Sequence, residues 1–245
     1  MQPQYTFLQK LLAFSVHVFT SLGIVVGFMA ILAIDEERFI DALLLLFITL
    51  IIDGIDGTFA RMFKTNEVLP NYDGKMIDYV IDFATYAIIP AYFIYSAHID
   101  GIYLLPENLR FWGAAIILLV SALYYGKEGM VSTDYYFVGF PVMWNMVAFY
   151  MFLVFDFSPL VNFIAIVGFA IAHFIPLKFM YPSRTPKFKG LNIVITILFI
   201  VSNILIIWLH PTVYPILIYI SWFTLSYYGI MAVYHTYFDE ETKNI

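Results

Sequence analysis

The sequence predicts an all-α, polytopic integral membrane protein of about eight transmembrane helices, on three observations. Of its 245 residues, 62% are hydrophobic and only 12% are charged, whereas a globular domain is about half apolar and a quarter charged. Mean hydropathy is +0.85. The apolar residues also fall into runs of about 20, the length of helix that crosses a bilayer.

The runs lie at roughly 11–33, 38–63, 75–97, 110–126, 137–155, 160–178, 190–209 and 213–236. Polar breakers separate them: "IDEER" after the first, "HIDGIYLLPEN" after the third, "YPSRTPKFKG" after the sixth. No internal repeat or low-complexity linker interrupts the chain, so residues 1–245 read as a single transmembrane domain. The N-terminus lacks a small-residue cleavage site after its apolar run and reads as a retained helix. Residues 3–10, where Tyr5, Phe7 and Leu8 alternate with polar groups, are expected to lie along the interface first. Cysteine is absent, which excludes disulfide and thiol chemistry.

Basic residues orient the spans. With eight crossings both termini share one side, which then holds Lys10, Arg61, Lys64, Lys75, Lys127, Lys178, Arg184, Lys187, Lys189 and Lys243. The other side holds Arg38 and Arg110. That imbalance places the termini and the 61–75 connection in the cytoplasm.

The second run carries unexpected charge, "FITLIIDGIDGTFARMF". A charged side chain near the bilayer centre costs at least ~2.5–3.5 kcal/mol on insertion scales. Asp53, Asp56, Gly57, Ala60, Arg61 and Lys64 share one helical face. In the third run Gly74, Asp78 and Asp82 recur four apart, with Thr85 continuing the face. A short turn joins the two runs, so the helices are expected to be antiparallel neighbours whose four carboxylates converge at a cytoplasm-facing cavity. Four like charges at close range cannot all stay ionised unaided. Two divalent cations resolve the conflict, and all-oxygen ligation suits Mg²⁺, Mn²⁺ or Ca²⁺. Such pairs serve in-line displacement at phosphorus. Gly57 and Ala60 leave room for a phosphorylated ligand, and Arg61 offers a planar fork to its oxygens.

"DGIDGTFAR", a twelve-residue spacer and "GKMIDYVID" resemble the signature of the CDP-alcohol phosphatidyltransferases, D-x2-D-G-x2-A-R … G-x3-D-x3-D. Asp53, Asp56, Gly57, Ala60, Arg61, Gly74, Asp78 and Asp82 meet all eight of its fixed positions, in order. The spacer is longer than usual for the family and the expected helix count exceeds its common six-helix core. Both departures, and "YFVGFPVMWN" at 136–145, resemble the bacterial phosphatidylcholine synthase branch, and so imply a bacterial inner membrane. The phosphatidylserine synthases have a related segment, and phosphatidylserine synthesis is the nearest alternative. A transporter with a carboxylate ion site is the alternative from another class.

The resemblance implies transfer of a phosphatidyl group from CDP-diacylglycerol to a soluble alcohol, with CMP as the leaving group and Mn²⁺ or Mg²⁺ as cofactor. By position, Asp53, Asp56, Asp78 and Asp82 would hold two cations. Gly57, Thr58, Ala60, Arg61 and Gly74 would line the CDP-diacylglycerol pocket. Asp82, the last carboxylate on its face, is the candidate general base. Family members often form homodimers, and no interface is legible in the sequence.

Choline, the favoured alcohol, has no N–H on its ammonium. Aromatic faces, worth ~0.5–2 kcal/mol each, must recognise it. Candidates are Tyr79, Tyr86, Tyr124, Tyr125, Trp144 and Tyr181, with Glu128 as counter-charge. Taken singly, such a residue more often packs or joins an interfacial belt than binds a ligand. Arg184, Lys187 and Lys189 suit topological anchoring, or an anionic substrate. The five histidines share no metal-ligand spacing, and Asn145, Asn162, Asn192 and Asn203 are expected to pack between helices.

Overall fold

A computed structural model describes residues 5–132, 135–182 and 184–239. Helix α1 spans Phe7–Asp35 and α2 spans Phe39–Met62, antiparallel to it. A single turn, α3 (Thr65–Val68), leads to α4 (Gly74–Asp82). A π-helical turn, Phe83–Ile88, passes the same rod on to α5 (Ile89–Ser96). After a two-strand hairpin, β1 (His98–Ile99) and β2 (Ile102–Tyr103), comes α6 (Arg110–Tyr125). Strand β3 (Tyr136–Val138) precedes α7 (Trp144–Phe149), which widens into a second π-turn, Tyr150–Val154. Then come α8 (Pro159–Ala172), β4 (Lys178–Met180), α9 (Lys189–Leu209) and α10 (Pro215–Tyr237). Among the described residues, five helices are long and apolar enough to cross a membrane: Phe7–Asp35, Gly74–Ser96, Glu107–Tyr125, Lys189–Leu209 and Pro215–Tyr237. Large apolar side chains cover their outer faces, as lipid contact requires.

Three expectations need correction. Residues 5–10 do not form a separate interfacial segment. Thr6 and Gln9 make a capping box that starts α1 at Phe7; Pro3 and Gln4 lie outside the described residues, as does Lys243. The run at 137–155 is helical only over Trp144–Val154. Its first part is the strand β3, which pairs antiparallel with β4, because Gly139 takes φ +97 and Pro141 cannot continue a helix. The run at 160–178 ends as helix at Ala172, just ahead of Ile175, which Pro176 biases toward extended backbone.

Gly139 also lets two segments touch. A Cβ there would lie 2.0 Å from the His173 carbonyl oxygen. Gly139→Ala should therefore destabilise the fold, by about 1–3 kcal/mol from backbone strain and about 1–3 kcal/mol from overpacking. Thermal unfolding in detergent measures this, and an unchanged midpoint would show that the contact relaxes freely.

The core joins α2, α5, α6 and α7, with Phe39, Phe93 and Phe152 meeting edge to face. Helix α1 approaches it through small residues. A Cβ on Gly23 would come within 3.1 Å of Ile81, and one on Gly27 within 2.7 Å of Ile89. Small faces allow such close backbone approach between membrane helices. Polar residues tie the outer helices as expected: Ser221 on α10 donates to Asn203 on α9 at 2.6 Å, and Tyr227 to Asn192 at 2.7 Å. Asn162 donates to the Leu104 carbonyl at 3.0 Å. Beyond α10, Asp239 accepts from Lys187 at 2.7 Å and faces His235 at 3.1 Å. Burial opposes ionisation of Asp239, but the bonds from Lys187 and His235 hold its carboxyl below the ordinary range.

Candidate active site

Helix α2 delivers Asp53 and Asp56, and α4 delivers Asp78 and Asp82. The α4 start is set by Asp73, whose carboxylate accepts from the backbone N–H groups of Lys75 and Met76 at 3.1 Å each. Residues 63–73 join α2 to α4, and the acidic faces of the two helices meet. One oxygen from each of Asp53, Asp78 and Asp82 lies within 4.8 Å of the others. Asp56, 5% exposed, lines the same small cavity and faces Thr20 on α1. Thr20, Gly23, Thr49, Ile52, Ile81 and Thr85 complete the wall.

The donor set fits hard divalent cations: three carboxylate oxygens at ligand spacing, a fourth carboxylate beside them and no sulfur. Without neutralisation, their mutual repulsion in a low-dielectric wall would be severe. The residues thus suit a divalent metal, without distinguishing among Mn²⁺, Mg²⁺ and Ca²⁺.

The other signature residues lie on the two helices around the acids. Arg61 donates from Nη2 to the Thr58 hydroxyl at 3.0 Å, and its Nη1 lies 3.4 Å from where a Gly57 Cβ would stand. Arg61 is exposed, with its fork free of ion pairs among the described residues. Ala60 is half-buried one residue before it. Gly74 sits against the His17 ring; a Cβ there would meet His17 at 3.0 Å.

The aromatic candidates divide. Tyr79 lies 5.8 Å from Tyr125, which meets Phe83 edge-on at 6.0 Å. Tyr125 and Tyr181 are both within electrostatic reach of Asp53, Asp78 and Asp82. Tyr181 stacks on Phe137 at 5.0 Å and carries the Arg184 guanidinium at 5.2 Å. Tyr86 is buried and donates to Asp53 at 2.9 Å. Trp144 is elsewhere: fully buried, bonded to Ser121 at 2.9 Å and stacked on His173. Tyr124 packs edge-on to the same histidine. Glu128 is exposed in the turn after α6 and pairs with none of the described residues.

The sequence does not mark Thr20, Thr49 and Phe83 as site residues. Thr20 had a signal, since it lies on the small-residue face of α1 with Gly23 and Gly27, but a lone threonine on an apolar helix carries little information. Phe83 was hidden because aromatics are abundant throughout the chain.

Residues 12–175 match the family model described as CDP-alcohol phosphatidyltransferase. The match contains all four aspartates. Among curated proteins, the chain is 39% identical to a phosphatidylcholine synthase of Pseudomonas aeruginosa, over 91% of each chain. It is 38% identical to the phosphatidylcholine synthase of Agrobacterium fabrum over 75% of this chain and 73% of the relative. For that of Rhizobium johnstonii the identity is 36%, over 81% and 79%. With an apolar helical fold that fits integral residence in a membrane, an all-oxygen acidic site and a match over most of its length, the chain belongs to the CDP-alcohol phosphatidyltransferase family.

Proposed function

We propose that the protein transfers the phosphatidyl group of CDP-diacylglycerol to choline, giving phosphatidylcholine and CMP. The carrying observation is the convergence of Asp53, Asp78 and Asp82 at one end of the bundle, in a chain similar to phosphatidylcholine synthases over most of its length. Two divalent cations, Mn²⁺ or Mg²⁺, held by Asp53, Asp56, Asp78 and Asp82 would neutralise the acids and polarise the diphosphate. Arg61 binds phosphate oxygens, held toward them by Thr58. Gly57 and Ala60 let the nucleotide approach the backbone closely, and Gly74, packed on His17, lines the same pocket. Asp82 takes the hydroxyl proton of choline as its oxygen bonds to the phosphorus that carries diacylglycerol. The bond from that phosphorus to the CMP oxygen breaks, and CMP leaves with the electron pair. Tyr79, Phe83, Tyr125 and Tyr181 present aromatic faces beside the carboxylates, where a quaternary ammonium would be attracted both to the rings and to the negative charge.

The site faces the cytoplasm of a bacterial inner membrane in this reading. Supporting it, the start of α1 and the basic connection after α2 lie at the same end, where the Tyr5 hydroxyl contacts Glu67. Purified protein given CDP-diacylglycerol and Mn²⁺, with choline, serine, glycerol phosphate or inositol in turn, tests the acceptor. CMP release is expected with choline. Release with serine and none with choline would overturn the assignment, and no release with any alcohol would favour an ion-site transporter.

A further inference from the structure

We propose that Tyr86 is a positioning residue that holds the Asp53 carboxylate in the orientation needed to ligate a divalent cation; this rests on the metal-dependent reading above. Tyr86 lies outside the eight signature positions. Its ring is 5% exposed, and its hydroxyl spends its only proton on Asp53 Oδ2 at 2.9 Å, from the rod opposite α2. The bond leaves Asp53 Oδ1 and the remaining lone pair of Oδ2 for the cavity. Ligating groups are commonly oriented by such outer hydrogen bonds, whose loss typically costs 10–100-fold in metal affinity or activity.

The backbone is shaped for this contact. Pro90 has no N–H to give the Tyr86 carbonyl, and its ring crowds that carbonyl. The helix responds by widening: the Ile89 N–H bonds five residues back, to Ala84. The widened turn carries Tyr86, whose hydroxyl reaches Asp53. Single π-turns are frequent at functional sites. A role in a choline cage would instead need an accessible ring face, which Tyr86 does not offer.

Tyr86→Phe removes one oxygen and keeps the ring. Mn²⁺ binding to the detergent-purified protein, followed by electron paramagnetic resonance without substrate, should weaken at least ~10-fold. In turnover, the Mn²⁺ activation curve should shift by the same factor, while the choline KM at saturating Mn²⁺ stays unchanged. In an Asp53→Asn background the same substitution should have no further effect on Mn²⁺ binding. Unchanged Mn²⁺ affinity in Tyr86→Phe, or an equal loss in both backgrounds, would overturn the positioning role while leaving the metal site standing. Wild-type protein that binds no divalent cation would overturn the metal reading and the proposal together.

Discussion

Asp82→Asn should bind CDP-diacylglycerol as the unaltered chain does and turn it over on the order of 10²–10⁴-fold more slowly, the range for loss of a general base. Asn matches Asp in shape, so the packing of the α4 end against the π-turn persists. Asp82 ends α4, within ligand distance of Asp53 and Asp78 and beside Tyr125. CMP release at saturating Mn²⁺, with nucleotide-lipid binding measured separately by competition, separates proton transfer from binding. Near-normal turnover would remove Asp82 from the base role and leave it as a ligand alone.

Asp78→Ala should lose Mn²⁺ binding at concentrations that saturate the wild type, and CMP release should fall to background. Asp78 is the α4 member of the close acidic set and the first to follow the Asp73 cap. Removing it leaves two carboxylates where three converge. A hard cation takes six or more oxygen ligands, and water must then replace the lost one without its charge. A chelator should produce the same loss in wild-type protein, with Mn²⁺ restoring wild type and not the variant. Chelator-resistant turnover would show that the carboxylates act without a metal.

Much of the architecture is legible along the chain because membrane helices are written in composition. Long apolar runs mark α1, α2, α6, α9 and α10 to within a few residues, since a helix is the one open-chain element that satisfies its own backbone in lipid. The errors fall where composition is ambiguous. An apolar strand and an apolar helix look alike in a short run, so β3 reads as the start of a span. The four-residue recurrence of Gly74, Asp78 and Asp82 was legible for the same reason as the helices: spacing maps directly onto a helical face.

The chemistry was thus determined locally, by carboxylates, small residues and an arginine at fixed intervals on two neighbouring helices. What no interval contains is distance between elements. That Asp56 faces Thr20 on α1, that Tyr86 reaches Asp53 rather than a substrate, and that Trp144 packs away on His173 depend on how separate helices dock. Docking follows small-residue contacts such as Gly23 on Ile81 and the widened turn before Pro90. Side chains far apart in sequence meet only when such packing brings their backbones together, and that is why the reaction could be read from a motif while the surroundings that orient its ligands could not.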